Sequence, residues 1–242
     1  MNTAVIFAGG VGKRMHSKDV PKQFLKLHGI PIIIHTLKIF EDSPYIDSIV
    51  VSCLENHIGY LTKLVSDYNL KKVQKIVPGG KTGQESIYNG LKAASEVGNR
   101  GKDIVLIHDG VRPLINEKTI ENNVESVKKY GSAITSVKAK ETIIVVDNNG
   151  NIKSVNDRSK SRLARAPQSF YLKDILAAHE RSIKENRLNF IDSCSMMTFY
   201  GFDLHLVSGP EENIKITTPD DFYTMRALLD AKENAQIYGL DN

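Results

Sequence analysis

The sequence predicts an α/β protein built on a doubly wound, mainly parallel sheet from which a β-arm protrudes. Short apolar runs typical of strands alternate with longer stretches of helical periodicity. Such alternation favours parallel strands joined by crossover helices. Residues 138–165 interrupt this alternation and show the pattern of a β-hairpin. A chain of 242 residues suits one domain spanning residues 1–242, with the hairpin as its protruding arm.

The predicted elements follow one another in regular order. Strands are expected at residues 3–7, 48–53, 75–77, 103–108, 133–137, 142–146 and 204–207. Helices are expected at residues 31–41, 55–68, 83–96, 116–130, 172–186 and 219–232. Thr218 is the expected N-cap of the last helix, with Pro219 in its first turn. Because ligands of such sheets bind at the carboxyl ends of the strands, residues just after the strands are the candidates for function.

The arm is predicted from two apolar runs, residues 141–146 and 152–155, with Asn149-Gly150 as the turn between them. A protruding hairpin needs a second apolar surface to be stable. The arm is therefore expected to contact something beyond its own domain.

Composition excludes several classes of protein. Hydrophobic residues make up 41% and charged residues 25% of the chain, as in an ordinary soluble protein. No apolar run approaches the roughly 20 residues that span a bilayer. Two cysteines and a start without a leader-like segment lead us to expect a cytoplasmic protein without membrane partners. The net charge of +4 is spread among acidic residues, so no nucleic-acid partner is expected.

The first predicted strand runs into a glycine loop followed by cations. Gly9, Gly10 and Gly12 let backbone N–H groups approach an anion, and Arg14 and Lys22 supply positive charge. The spacing fits neither the P-loop nor the dinucleotide-binding fingerprint. The pattern indicates a phosphate-binding loop of another kind.

Two further motifs are expected at the same edge of the sheet. A second glycine turn opens the third predicted helix at residues 79–86. His108 and Asp109 end the fourth predicted strand, and the carboxylate of Asp109 could ligate Mg²⁺, which prefers oxygen ligands. His108 is interpreted as structural.

In their order and spacing these motifs resemble the polyol-phosphate cytidylyltransferases, which include the ribitol 5-phosphate and the 2-C-methylerythritol 4-phosphate enzymes. The resemblance extends over nearly the whole chain. It is carried by residues 8–15, Pro21-Lys22-Gln23-Phe24, Gly79-Gly80 with Ser86, residues 108–113, Asp157-Arg158, residues 167–170, Asp192 and residues 213–219.

The resemblance implies a Rossmann-like nucleotidyltransferase fold and the transfer of CMP from CTP, with Mg²⁺, to a small polyol phosphate. It implies catalytic roles for Arg14, Lys22, Arg158 and Lys215. Arg162 and Arg165 are close to Arg158 in the sequence and are alternatives for its role. The implied CTP-binding residues are Phe7, Ala8, Gly9, Gly10, Gly12, Gly79, Gly80, Lys81, Thr82, Gly83, Gln84, Glu85, Ser86 and Gly110. The implied acceptor-binding residues are Asp109, Arg112, Thr142 and Asp192, with bracing of the loop as the alternative role of Arg112. In the family a comparable arm clasps a second subunit, which implies a homodimer.

Departures from the family pattern bear on the acceptor. Gly83 stands where both relatives usually have arginine. Ala166 and Ile191 replace threonines of the methylerythritol enzymes, whereas Gly9-Gly10 and Val111 resemble the ribitol enzymes. The expected acceptor is therefore D-ribitol 5-phosphate. The alternatives are methylerythritol phosphate and glycerol or arabinitol phosphate. A sugar-1-phosphate nucleotidyltransferase or a non-catalytic nucleotide-binding protein are the more distant alternatives.

Overall fold

The structure, a computed structural model, describes residues 1–10, 15, 20–98 and 102–238. Its centre is a seven-stranded sheet of order β11-β7-β10-β6-β1-β4-β5. Six of these strands run in one direction and β10 runs against them. In chain order the strands are β1 Asn2–Ala8, β2 Lys26–Leu27, β3 Ile30–Pro31, β4 Ser48–Cys53, β5 Val73–Pro78, β6 Ile104–Asp109, β7 Ser132–Lys138, β8 Ile144–Val146, β9 Ile152–Val155, β10 Arg162–Tyr171 and β11 Leu206–Ser208.

Helices cover both faces of the sheet, as a doubly wound fold requires. They are α1 Ile32–Asp42, α2 Ile58–Asp67, α3 Gly83–Val97, α4 Glu117–Tyr130, α5 Leu172–Lys184, α6 Ser193–Phe199 and α7 Pro219–Tyr238. One core cluster joins the sheet to α1, α2 and α4, and another joins it to α3, α5 and α6. Alternate residues of β1 enter opposite clusters: Ala4 and Ile6 enter the first, and Val5 the second. Both faces are buried, which explains the nearly continuous apolar runs of the parallel strands.

The arm forms the predicted hairpin of β8 and β9, but its turn is shifted by one residue. The Gly150 N–H donates to the Asp147 carbonyl at 3.1 Å, which makes Asn148 and Asn149 the central residues of the turn. Gly150 follows them with a φ of +85°. A left-handed residue after a turn resets the strand register, and glycine takes this conformation without strain.

Four elements were not predicted: the two-residue strands β2 and β3, strand β10 and helix α6. Strand β10 contains Pro167, and a proline inside a strand removes a ladder donor, so the segment lacks the usual strand pattern. The ladder between β10 and β7 is interrupted between Ala164 and Gln168, so no ladder hydrogen bond from Pro167 is needed. Helix α6 was missed because Ser193–Phe199 is too short to show helical periodicity, although Asp192 caps it.

Candidate active site

A cavity of about 510 Å³ opens at the carboxyl ends of β1, β4 and β6, where the sequence predicted a ligand site. This volume lies within the range of small-molecule sites. Loops after these strands and the segment before α7 form its walls. The lining residues are Phe7, Ala8, Gly9, Gly10, Lys22, Gln23, Leu54, Gly80, Lys81, Thr82, Gly83, Ser86, Asp109, Val111, Lys215 and Thr217.

The two glycine turns touch each other in the wall of this cavity. A Cβ on Gly9 would lie 2.8 Å from Ser86 Oγ, and a Cβ on Gly79 would lie 3.3 Å from the Gly9 Cα. Ser86 Oγ accepts from Gly80 N at 3.0 Å and donates to the Thr82 carbonyl at 2.9 Å. Only glycine permits this close approach, so both predicted glycine motifs serve one surface.

The second turn is held by the cap of α3. Thr82 Oγ1 accepts from Glu85 N at 3.1 Å, and Glu85 Oε2 accepts from Lys81 N at 2.6 Å. Glu85 therefore supports the loop backbone rather than lining the cavity. Gln84 is turned away, with its amide donating to Ser182 Oγ at 2.7 Å. Among the residues that the structure describes, none comes within 4 Å of a Cβ placed on Gly83, the position where the sequence analysis noted a missing arginine.

Lys22 lines the cavity from the side of the first loop. Its Nζ donates to the Ile216 carbonyl at 2.9 Å, and the neighbouring Gln23 amide donates to the Ala8 carbonyl at 2.7 Å. The Pro-Lys-Gln-Phe motif thus ties the end of β1 to the segment that carries Lys215. Gly12 and Arg14, predicted for the same loop, lie outside the described residues.

Asp109 forms the centre of the charged wall. Its Oδ1 lies 2.5 Å from Lys215 Nζ and its Oδ2 lies 2.7 Å from Arg112 Nε, while the carboxylate is almost fully buried. Burial alone would raise the pKa of the Asp109 carboxyl, but Lys215 and Arg112 outweigh it and hold this pKa well below its usual range. The carboxylate is ionised at neutral pH and fixes both cations.

Arg112, predicted to bind the acceptor or to brace its loop, is buried and braces the wall without lining the cavity. Besides Asp109, it donates from Nη1 to the Asn213 carbonyl at 2.9 Å, two residues before Lys215. His108 is structural, as interpreted from the sequence. Burial lowers the pKa of its imidazole to about 4, and Nε2 lies 3.1 Å from the Arg112 carbonyl oxygen. Gly110 lies behind the cavity and approaches Ala8.

Three predicted residues lie away from the cavity of their own chain. Arg158 is exposed at the base of the arm and donates to the Lys140 carbonyl at 3.3 Å. Thr142 is exposed on the arm itself. Asp192 caps α6, and its Oδ2 accepts from the Gln168 amide at 2.8 Å. Within one chain these residues do not join Lys22 and Lys215.

Sequence reasoning missed four residues that line the cavity: Gln23, Leu54, Val111 and Thr217. Gln23 and Val111 belong to quoted motifs, so their position in those motifs was a usable signal. Leu54 directly follows β4, and the rule that ligands bind at carboxyl ends could have identified it. Thr217 was quoted only as part of the approach to α7, where the predicted cap is confirmed: Thr218 Oγ1 accepts from Asp221 N at 3.4 Å.

Sequence comparison identifies the family to which this chain belongs. The family described as IspD: 2-C-methyl-D-erythritol 4-phosphate cytidylyltransferase matches residues 2–231. The chain belongs to this family. As a member it is a cytidylyltransferase, which confirms the predicted enzyme class. None of the helices that the structure describes is long and apolar enough to cross a membrane.

Curated members of the family fall into two groups by similarity to this chain. The ribitol-5-phosphate cytidylyltransferase of Streptococcus agalactiae serotype V is 53% identical over 240 residues, which cover 99% of this chain and 100% of the relative. The Vibrio parahaemolyticus protein of that name is 54% identical over 239 residues, which again cover 99% of this chain and 100% of the relative. The 2-C-methyl-D-erythritol 4-phosphate cytidylyltransferase of Clostridium novyi is 39% identical over 230 residues, 95% of this chain and 96% of the relative.

Solved structures of the family share the fold. The Francisella tularensis 2-C-methyl-D-erythritol 4-phosphate cytidylyltransferase superposes with a TM-score of 0.74 at 30% identity, covering 92% of this chain and 97% of that one. The Anaerococcus prevotii 4-diphosphocytidyl-2C-methyl-D-erythritol synthase superposes with a TM-score of 0.82 at 25% identity, covering 95% and 96%. The mainly parallel sheet of this cytidylyltransferase is thus the fold predicted from its sequence.

Proposed function

We propose that this cytidylyltransferase transfers CMP from CTP to D-ribitol 5-phosphate, giving CDP-ribitol and pyrophosphate. The observation that carries the choice of acceptor is the 53–54% identity to ribitol-5-phosphate cytidylyltransferases over the whole chain, against 39% to a methylerythritol enzyme. The replacement of two family threonines by Ala166 and Ile191 points the same way.

The reaction requires little acid–base catalysis from the protein. An oxygen of the acceptor phosphate attacks the α-phosphorus of CTP and forms a new P–O bond. The bond from that phosphorus to the β-phosphate oxygen breaks, and its electron pair leaves with pyrophosphate. Because the acceptor phosphate is already an anion at neutral pH, no general base is needed. The protein must hold two anions together and stabilise the charge of the transition state.

The charged groups of the cavity suit that task. Lys22 and Lys215 line it, and each is fixed by a protein oxygen before any ligand arrives. A donor that needs no reorganisation during the reaction stabilises the transition state most effectively. Glycine backbone from both turns lines the space between them. This arrangement favours CTP along the glycine walls, with its phosphates towards the two lysines.

Replacing Lys22 with alanine is expected to lower kcat by about 10²–10³, because one preorganised donor to the transition state is lost. Pyrophosphate release under saturating CTP and acceptor measures the effect. Lys26→Ala is the matched control, since Lys26 is an exposed lysine nearby in β2 that does not line the cavity. Loss of less than threefold in the Lys22 variant would remove Lys22 from the catalytic groups.

Magnesium fits this site as part of the nucleotide substrate. Among the described residues, Asp109 supplies the one carboxylate that lines the cavity, and both of its oxygens already contact cations. Mg²⁺ commonly takes one or two carboxylates and fills its other positions with water and substrate phosphates. We therefore propose that Mg²⁺ is held by the triphosphate of CTP, where it would neutralise phosphate charge, and that Asp109 fixes Lys215 and Arg112 rather than the metal.

The arm supports the proposal of a homodimer. Five apolar side chains of the arm are 40–64% exposed: Ile144, Val145, Val146, Ile152 and Val155. An isolated two-stranded hairpin of this kind is marginally stable in water, so a second surface is required. A second copy of the chain would cover the arm and would bring Arg158, remote from its own cavity, to the cavity of the partner.

The variant Ile152→Glu is expected to shift the protein from dimer to monomer, because a charge in the apolar arm face would have to be buried at the interface. Sedimentation velocity measures the shift. Ile183→Glu is the control, since Ile183 is 44% exposed on α5 and away from the arm. A wild-type protein that sediments as a monomer at micromolar concentration would refute the dimer.

Hybrid dimers test the transfer of Arg158 to the partner. If the cavity and Arg158 come from different chains, mixing Arg158→Ala with Lys22→Ala protein restores one complete site in each mixed dimer. Statistical exchange then predicts recovery of roughly a quarter of wild-type activity from two inactive proteins. No recovery after verified subunit exchange would mean that Lys22 and Arg158 of one site come from the same chain, and would refute the transfer of Arg158 to the partner.

The acceptor is tested by pyrophosphate release from CTP and Mg²⁺ with ribitol 5-phosphate or methylerythritol 4-phosphate. Turnover with ribitol 5-phosphate, lost in Lys22→Ala, is the expected result. Turnover with methylerythritol 4-phosphate alone would assign the chain to the second group of relatives. Turnover with neither would refute both acceptors, and glycerol and arabinitol phosphates would be tested next.

A further inference from the structure

The segment that places Lys215 in the active-site cavity, the cavity of about 510 Å³ described above, has no regular secondary structure. Residues 213–217 form neither helix nor strand and lead into α7. The Lys215 side chain is 38% exposed, and a lysine side chain is long and flexible. Its ion pair with Asp109 therefore depends on contacts that fix the backbone of this segment.

Asn213 fixes the beginning of the segment through both its side chain and its backbone. Its Nδ2 donates to the Ala166 carbonyl at 3.0 Å, and its own carbonyl accepts from Arg112 Nη1 at 2.9 Å. The residue is fully buried. Because a carbonyl oxygen can only accept, the NH₂ end of the Asn213 amide must face Ala166. Lys215 follows two residues later in the chain.

The Ala166 carbonyl lies in the interruption of strand β10. The ladder between β10 and β7 shifts between Ala164 and Gln168, and the ladder between β10 and β6 begins at Gln168. Neither of these ladders pairs Ala166. A buried carbonyl outside a ladder requires another donor, and Asn213 supplies it. The interruption of β10 thus gives the segment a fixed point of attachment in the central sheet.

The other end of the Asn213 amide gains nothing for stability. Its Oδ1 is fully buried and makes no hydrogen bond within the described part of the chain. The bond to Ala166 stabilises the fold and the unpaired oxygen destabilises it, by amounts of similar size. Such a local conflict is expected at functional sites rather than in an ordinary core. Stability alone therefore gives little reason for an asparagine at this position.

Lys22, the other lysine of the cavity, has an anchor of its own in the same segment. Its Nζ donates to the Ile216 carbonyl at 2.9 Å. The Ile216 N–H donates to the Val111 carbonyl at 3.1 Å, so this part of the segment is attached to the loop after β6. Loss of the Asn213 amide is therefore expected to displace Lys215 and to leave Lys22 in place.

We propose that Asn213 is a positioning residue for the transfer of CMP. Its amide, bonded to the Ala166 carbonyl, holds the backbone of Lys215 so that the ammonium group lies in the active-site cavity. The inference rests on the proposed function, in which Lys215 is a preorganised donor to the transition state. Asn213 does not line the cavity, so it acts through Lys215 and not on the substrates.

The test is the variant Asn213→Leu, which keeps the approximate volume of the side chain and removes the donor. The value of kcat/KM for pyrophosphate release is expected to fall about tenfold to hundredfold, since a displacement of about 1 Å can cost that much. In the Lys215→Ala background the same substitution is expected to change kcat/KM less than twofold, because the group that Asn213 positions is gone. In the Lys22→Ala background it is expected to cost the full tenfold to hundredfold, as independent sites are additive.

Asn123→Leu is the matched control, because Asn123 is a second fully buried asparagine, remote from this segment. Its Nδ2 donates to the Thr119 carbonyl and to Thr135 Oγ1, each at 2.9 Å. This variant is expected to lower the urea midpoint at least as much as Asn213→Leu and to keep kcat/KM within twofold of the wild type. If Asn213→Leu does not fold, Asn213→Ser replaces it, since the shorter serine cannot reach Ala166 and leaves room for water.

Equal losses from the Asn213 substitution in all three backgrounds would show a general structural role and overturn the inference. A loss of less than threefold in the single variant would overturn it as well, as would a Lys215→Ala protein with wild-type kcat/KM. The assay uses the polyol phosphate that the wild-type enzyme turns over. A failure of the proposed acceptor is therefore seen in the wild-type protein alone and is distinct from these outcomes.

Discussion

Replacing Lys215 with alanine is expected to lower kcat/KM for pyrophosphate release by about 10³, at the upper end of the loss for one electrostatic donor. Two effects act in the same direction. The variant removes a cation that lines the active-site cavity, and it leaves the Asp109 carboxylate facing the phosphates. In the wild-type protein the Lys215 ammonium lies 2.5 Å from Asp109 Oδ1 and 5.5 Å from the centre of the Phe7 ring. A bare carboxylate at that point would repel CTP.

The two effects can be separated by a double-mutant cycle. Asp109→Asn in the Lys215→Ala background removes the repulsive carboxylate, so part of the lost activity is expected to return. Groups in direct contact commonly show such coupling. Lys128→Ala is the matched control, since Lys128 forms an ion pair with Glu125 on the exposed side of α4. A Lys215 variant that keeps its fold by circular dichroism and loses less than threefold in kcat/KM would contradict the assignment.

Much of the fold follows from local pattern. Strand β4 begins and ends at the predicted residues, β1 is longer than predicted by one residue at each end, and β6 is displaced by one residue. These strands are buried on both faces, so their apolar runs are continuous and easily recognised. Because ligands bind at the carboxyl ends of such strands, the sequence predicts one shared site for Gly9, Gly80 and Asp109, and all three line one cavity. Strand β10 was not predicted, because a proline and an interruption of its ladder obscure the strand pattern.

The direction of each side chain could not be predicted in this way. Gln84 and Ser86 are two residues apart at the start of α3, yet Ser86 lines the cavity and Gln84 bonds to α5. Arg112 follows Asp109 closely in the sequence but braces the wall, because the Asn213 carbonyl offers its guanidinium a buried acceptor. Such contacts join segments far apart in the chain, and neither periodicity nor spacing encodes them. Arg158 is a further case, since it lies outside the cavity of its own chain and contacts the Lys140 carbonyl instead.

Asp109→Asn is expected to lower the free energy of unfolding by about 3 kcal/mol or more at pH 7, the usual cost of removing one partner from a buried ion pair. The amide would leave Arg112, whose side chain is 10% exposed, without its counter-ion. Lys215 loses the same counter-ion at a smaller cost, because its side chain is 38% exposed and water can solvate its ammonium group. Urea unfolding of both proteins measures the difference. Glu125→Gln, which breaks an exposed pair with Lys128, is expected to cost less than about 1 kcal/mol.

The pH dependence of this difference identifies its origin. The folded pKa of Asp109 lies well below its usual range, and in the unfolded chain it returns to about 4. A depressed pKa contributes stability that is present above the unfolded value and is lost as the pH falls towards the folded value. The difference in the free energy of unfolding between wild-type and Asp109→Asn protein is therefore expected to be constant from about pH 7 to 5. It is expected to become smaller below about pH 4. A gap that stayed constant to pH 3 would mean that the amide disturbs packing. A narrowing gap would show that the charge of Asp109 itself holds Arg112 and Lys215 in place.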